Sequence, residues 1–178
     1  MNLADVQAAV GLTTPIRHQL FIDGRFVDAE SGETQVTLNP HDNTPIAEVA
    51  MAGHADIDKA VAAARRAFPV WSRMAAADRG RILLRLAGLI EANTEELARL
   101  ESLDTGHPVR DSRNLDVPRT AACFRYFGGM ADKFQGETIP VEAGFLNYTL
   151  REPVGIVGQV VPWNFPVMFT SWKMGPAL

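Results

Sequence analysis

The chain has 178 residues, 47% of them hydrophobic and 21% charged, a composition typical of a globular protein with a packed core. Its net charge is −4 and its 17 lysines and arginines are scattered among 21 acidic residues, so we expect no nucleic-acid partner. No stretch approaches the roughly 18 apolar residues of a membrane span, and residues 1–11 lack the basic start of a signal peptide. With one cysteine, Cys123, the sequence predicts a cytoplasmic protein without membrane contact.

Strands are predicted in the first third of the chain, after a loosely patterned arm at residues 1–18. Residues 20–27 alternate apolar and polar side chains around Asp23-Gly24, the dipeptide that favours a two-residue type I′ hairpin. Two more strands are predicted at 36–38 and 46–49, because turn-forming residues separate them.

From Asp56 the hydrophobic period becomes helical, and four helices are predicted. The first presents Ile57 and Phe68 on one face, and the second, residues 78–92, is expected to pack antiparallel against it. Asn93 with Glu96 predicts a capping box for the third helix, which ends at residues 105–108. The fourth is predicted over residues 114–134.

Beyond Gly136 the pattern returns to strands. Residues 146–150 are predicted to be extended, and the apolar run 154–161 is typical of a strand buried on both faces of a parallel sheet. A turn at 162–166 and the start of a helix at 167–178 follow. Because no second buried strand is present, we expect apolar surface on 154–161 and 167–178 to be exposed and the chain to be poorly soluble alone.

The sequence EPVGIVGQVVPWNFP at residues 152–166, followed by WKMGPAL at 172–178, strongly resembles the aldehyde dehydrogenase superfamily. Shorter matches are FIDG at 21–24, DKAV at 58–61 and DTGHP at 104–108. The resemblance extends over residues 19–178, and the PWNFP turn after a glycine-punctuated valine run is its most specific part.

This resemblance implies an α/β fold: the N-terminal part of the aldehyde dehydrogenase fold, truncated in the first βα unit of a Rossmann-like parallel sheet. The expected divisions are an N-terminal arm (1–18), the first part of the cofactor-binding domain (19–135), an oligomerisation arm (136–153) and the incomplete βα unit (154–178).

The activity implied is oxidation of an aldehyde to a carboxylic acid by a cysteine thiolate, with NAD or NADP as hydride acceptor. The parent enzyme is expected to be a homo-oligomer. Cys123 lies in a predicted helix among apolar residues, without the family's Gly-Gln-x-Cys context, so we interpret it as a core cysteine. We therefore expect a fragment without its nucleophile, inactive alone.

Asn164 matches the family's oxyanion-hole asparagine, whose amide donates to the oxygen that becomes negative. The alternative is that Asn164 only caps the turn by bonding local backbone. Val161, Pro162 and Trp163, with Asn164, match the strand end that lines the cofactor cleft, although Trp163 can equally be a buried anchor.

Lys173 matches a lysine assigned to proton relay or charge support, the alternative being a solvated lysine on a helix surface. Asp104, with backbone carbonyls near Thr37 and Leu38, resembles a structural site for a monovalent cation; the alternative is a carboxylate that faces water.

Two other functions remain open. The chain can be a non-catalytic partner that joins a full-length aldehyde dehydrogenase through the strand at residues 147–151, since an exposed strand edge can pair with another chain. A standalone dinucleotide-binding module is the weakest alternative, because one and a half βα elements do not form a mononucleotide fold.

Overall fold

A computed structural model describes residues 18–178, and the predicted arm at 1–18 falls almost wholly outside them. The described part opens with strands β1 (Leu20–Ile22) and β2 (Arg25–Val27), paired antiparallel. Asp23 and Gly24 between them have φ of 55° and 74°, the left-handed conformation that a type I′ turn requires at both positions. The predicted hairpin is confirmed.

Strands β3 (Thr34–Leu38) and β4 (Pro45–Ala50) form a second antiparallel pair, as predicted. Side chains of the connecting turn bond its own backbone: the Asp42 carboxylate accepts from the Thr44 N–H at 2.9 Å. The buried Ile46 and Ala47 of β4 form a small core with a leucine of a later helix, Leu103.

Helix α1 (His54–Arg73) begins at a buried carboxylate. Asp56 accepts hydrogen bonds from the backbone N–H groups of Gly53, at 3.0 Å, and Glu30, at 3.1 Å, which joins the helix start to the loop before β3. The predicted inward face is wrong for Ile57, whose exposed fraction is 54%. Among the described elements, α1 contacts β1 most.

The main helical core is formed by α2 (Ala76–Ala92) and α5 (Val117–Met130). The expected pairing of the first two helices is therefore wrong: α2 packs chiefly on α5, where Gly80 faces Gly128 and lets the backbones approach. The shared core consists of Leu83, Ala87, Ala121 and Phe124, with Leu86, Ile90 and Phe127 packed against it.

Helix α3 (Thr94–Thr105) ends, as predicted, at Gly106, which has φ of 78°. Its predicted capping box is wrong, because the Asn93 amide donates back to the Leu89 carbonyl at 2.7 Å and so terminates α2. The single helix predicted over 114–134 is instead a short helix α4 (Val109–Asp111), a π-helical turn (Ser112–Asp116) and α5.

Strands β5 (Thr138–Ile139) and β6 (Asn147–Tyr148) form a third antiparallel pair, and the chain then reaches helix α6 (Pro166–Ala177), which packs on α5. The strand predicted over 154–161 is not formed: Val154 is 95% and Val160 89% exposed. A parallel strand exists only beside neighbours, and residues 18–178 supply none. No helix in this range has the length and hydropathy to cross a membrane.

Candidate functional site

The turn before α6 carries the residues that the family resemblance assigns to the reaction. Pro166 begins the helix, where its fixed φ is already helical and its missing N–H costs nothing. The half-buried Phe165 ring lies 4.8 Å from the His107 ring and 6.3 Å from that of Phe169, measured between centroids. The turn is therefore anchored from beneath by one aromatic side chain.

Asn164 is exposed on this anchored turn. Its side-chain amide has no hydrogen-bond partner in residues 18–178, and so it does not bond the local backbone there. An amide that bonds nothing within the described part of the chain keeps both N–H groups available for an oxygen from elsewhere.

Val161, Pro162 and Trp163, predicted to border the cofactor, lie beside Asn164 and are all exposed. The Trp163 side chain is 87% exposed, which overturns the alternative of a buried anchor. The strand end that was expected to present these residues is absent from the described structure, and an irregular segment presents them instead.

Lys173 lies two turns into α6, and its side chain is exposed with no acidic partner in the described residues. Its backbone carbonyl accepts a hydrogen bond from the Gln159 amide at 2.9 Å. That bond joins the irregular segment 154–161 to the helix that carries Lys173.

The thiol of Cys123 lies at the contact between α5 and α6. It is half-buried, and its Sγ donates to the Ser171 carbonyl at 3.4 Å. Gly175 comes close on the same side, since a methyl group there would meet the Phe127 ring at 2.8 Å and Cys123 Sγ at 3.5 Å. The thiol therefore packs between two helices, as interpreted from the sequence.

Beneath the turn lies a buried acidic cluster that the sequence did not reveal. Glu101 at 6% and Asp116 at 4% exposure approach His107, whose Nδ1 is 3.1 Å from an Asp116 carboxylate oxygen. One ligand-type atom from each of the three residues lies within 4.8 Å of the others. The only indication in the sequence was Glu101 itself, a carboxylate four residues after Leu97 on the apolar stripe of α3.

Burial raises the pKa of the Glu101 carboxyl to about 7. Desolvation is the largest cause, because charge is disfavoured away from water. The Val167 N–H opposes the shift by donating a hydrogen bond to Glu101, while the negative charge of Asp116 adds to it. This bond also connects Glu101 to the first turn of α6.

Asp104, the centre of the predicted cation site, lies beside the side chain of Thr37. The Thr37 hydroxyl donates to the Asp104 carboxylate at 3.4 Å, which places the end of β3 beside the end of α3. Leu38, the next residue along β3, is 46% exposed.

The sequence profile of the aldehyde dehydrogenase family matches residues 26–178. The chain belongs to this family. Aldehyde dehydrogenase family 2 member B4, a mitochondrial protein of Arabidopsis thaliana, is 48% identical over 162 residues, which make up 90% of this chain and 30% of the relative. The chain thus spans about a third of the length of the curated relatives first matched.

Solved structures of the family superpose closely. A Burkholderia cenocepacia protein assigned to the aldehyde dehydrogenases is 71% identical with a TM-score of 0.88, over 90% of this chain and 33% of its own. PnpE from Pseudomonas sp. WBC-3 is 67% identical with a TM-score of 0.88, over 91% and 33%. PnpE has also been solved in complex with nicotinamide adenine dinucleotide, with a TM-score of 0.89. The predicted fold class, the N-terminal part of the aldehyde dehydrogenase fold, is confirmed.

Proposed function

We propose that this chain supplies the oxyanion-binding turn and one edge of the cofactor cleft of an NAD(P)-dependent aldehyde dehydrogenase that forms carboxylic acids. The observation that carries the proposal is Asn164, exposed on an anchored turn with its amide unbonded within the described protein. A donor that is already positioned and need not break another bond stabilises developing charge without reorganisation.

In this reaction a thiolate attacks the aldehyde carbon, and the carbonyl oxygen takes the electron pair as an oxyanion. Asn164 donates an N–H to that oxygen. Collapse of the adduct expels a hydride and leaves a thioester, which water hydrolyses to the acid and the free thiol. The bound dinucleotide supplies the oxidising chemistry by accepting the hydride. Lys173 is proposed to support charge or relay a proton, because its ammonium is exposed and unpaired within residues 18–178.

The residues present fit a dinucleotide. Val161, Pro162, Trp163 and Asn164 are exposed, and added Cβ atoms at Gly155 and Gly158 meet nothing within 4 Å, so nothing described blocks approach to this segment. We propose NAD rather than NADP because the similar PnpE was solved with it. Titration of the chain with NAD⁺ and with NADP⁺ by calorimetry tests this choice. Tighter binding of NADP⁺ would reverse it.

The chain alone is proposed to be inactive, since its single thiol packs between α5 and α6. An aliphatic aldehyde and NAD⁺ added to the purified chain are expected to give no absorbance rise at 340 nm. Aldehyde-dependent NADH formation would overturn this part of the proposal.

A chimera tests Asn164 directly. Residues 1–178 are joined to the corresponding remainder of the Burkholderia protein, whose 71% identity makes the junction compatible. Asn164→Ala is expected to lower kcat by roughly 10²–10³-fold, the usual loss on removing one oxyanion donor. Asn114→Ala, an exposed asparagine in the π-helical turn, is the matched control. Equal kcat in the two variants would refute the assigned role.

A second function has its own supporting observation. Strand β6 pairs only with β5 in the described structure, and exposed apolar side chains flank it, with Leu146 at 75% and Leu150 at 71%. Such an edge can extend the sheet of another chain, either in a homo-oligomer of the parent or with a full-length relative. Co-expression with PnpE followed by size-exclusion chromatography tests this, and separate elution of two folded proteins contradicts it.

We also propose a structural cation site at the end of β3. Asp104 with Leu38 and Thr37 is assigned to a structural monovalent cation, supported by the 3.4 Å bond between Thr37 and Asp104. The test is whether K⁺ raises the Tm of the wild type but not of Asp104→Ala.

We also propose that the protein is located in the cytoplasm, on the basis of its single cysteine, and cell fractionation tests this.

A further inference from the structure

The cluster of Glu101, His107 and Asp116 combines one imidazole and two carboxylates in a buried position. These are ligand types that zinc takes in proteins, with metal–ligand bonds of about 2.0–2.2 Å. Such bonds in a tetrahedral site place neighbouring ligand atoms about 3.3 Å apart, and the His107 Nδ1–Asp116 Oδ2 distance is 3.1 Å. A Glu101 carboxylate oxygen lies within 4.8 Å of both of these atoms.

One oxygen in this cluster lacks a partner. Glu101 is only 6% exposed, and its Oε1 makes no hydrogen bond. Buried carboxylate oxygens are normally satisfied, so an unpaired one on a residue whose carboxylate lies near two other ligand-type atoms points to a group that the described residues do not supply.

The negative charge of the cluster has little compensation among the described residues. Asp116 and Asp104 act on Glu101 as negative charges, and among the described residues His107 acts on it as a positive one. Two carboxylates buried beside one imidazole are costly to keep ionised in a poorly solvated place, and either a proton on Glu101 or a bound cation removes that cost. A divalent ion offsets both carboxylates.

Surrounding hydrogen bonds hold the ligands in place. The Val167 N–H donates to Glu101, and the Ser102 hydroxyl donates to the His107 carbonyl at 2.6 Å. The Thr105 hydroxyl donates to the Glu101 carbonyl at 2.6 Å and accepts from the His107 N–H at 3.2 Å. The His107 side chain is 25% exposed and offers a route for the ion.

We propose that Glu101, His107 and Asp116 form a binding site for one divalent transition-metal ion, zinc in the tested case, beneath the turn that carries Asn164. The ion links α3, the loop after it and the π-helical turn. Because Phe165 contacts the His107 ring, the ion also stiffens the support of that turn. Since zinc binds the folded chain, it raises the Tm.

The test uses the full 178-residue chain with any affinity tag removed and metals stripped by EDTA and dialysis. Zn²⁺ is titrated by calorimetry, and Co²⁺ is titrated while visible d–d absorption is recorded. His107→Gln removes the imidazole ligand. His107→Lys also removes it but keeps a positive charge near Asp116, and it is chosen to preserve the fold. The control is His54→Gln, an exposed histidine in the first turn of α1.

The wild type and His54→Gln are expected to bind one Zn²⁺ with equal affinity and to gain Tm with it. Both His107 variants are expected to lose at least about 100-fold in affinity, more than loss of a supporting contact causes. Absence of saturable 1:1 binding to the folded wild type overturns the proposal. Equal affinity in His107→Lys and the wild type overturns it too. If His107→Gln fails to fold, the lysine variant and the Co²⁺ spectrum of the wild type still show whether His107 is a metal ligand.

Discussion

Gly80 in α2 and Gly128 in α5 lie where the two helices of the main core approach each other. A Cβ placed on Gly80 would be 2.5 Å from the Gly128 carbonyl oxygen, a backbone atom that moves only if the helix moves. A Cβ on Gly128 would in turn meet the Gly80 carbonyl at 3.0 Å. The two glycines therefore set the distance between the helices.

Gly80→Ala has two opposite effects on the free energy of unfolding. Alanine is favoured over glycine inside a helix by about 1 kcal/mol, whereas overpacking a tight core costs typically ~1–3 kcal/mol and at times more. Because the obstructing atom belongs to the backbone, we expect the steric cost to lie at the upper end of that range. After the gain in helix propensity is subtracted, the variant is expected to be destabilised by about 2 kcal/mol. At this chain length that corresponds to a Tm lower by roughly 4–8 °C.

Gly88→Ala is the matched control in the same helix. It is exposed, and an added Cβ there meets nothing within 4 Å, so only the gain in helix propensity applies. Its Tm is expected to rise by a few degrees, for about 0.5–1 kcal/mol of stability. Circular dichroism melts at 222 nm and urea titrations give both values. If Gly80→Ala is as stable as Gly88→Ala, the argument from the helix approach is refuted.

Three smaller predictions use the same urea titrations. Asp56→Ala is expected to lose about 1–2 kcal/mol, because the buried carboxylate accepts from the N–H groups of Gly53 and Glu30; the exposed neighbour Asp58→Ala is its control, and equal losses would contradict the reasoning. Gly24→Ala is expected to cost about 1 kcal/mol, since φ is 74° there although the space is open; an unchanged midpoint would show that the turn relaxes freely. Glu95→Gln breaks an exposed ion pair with Arg113 and is expected to leave the midpoint unchanged, so a clear shift would show that this pair matters more than exposed pairs usually do.

Elements whose signals are local were predictable from the sequence. The Asp23-Gly24 hairpin follows from two residues that tolerate positive φ, and the end of α3 at Gly106 follows from the same property. The start of α6 next to Pro166 follows from the turn that precedes it. The PWNFP turn indicates the family from its sequence alone, because its residues are specific in order and spacing.

What only the tertiary structure decided are the partnerships between distant elements. Periodicity showed that α2 has an apolar face, but not that α5 rather than α1 covers it, since periodicity carries no information about the partner. Asn93 has the residue type of an N-cap and acts instead on the helix before it. The acidic cluster is assembled from Glu101, His107 and Asp116, which are separated in sequence and come together in a buried place only through packing.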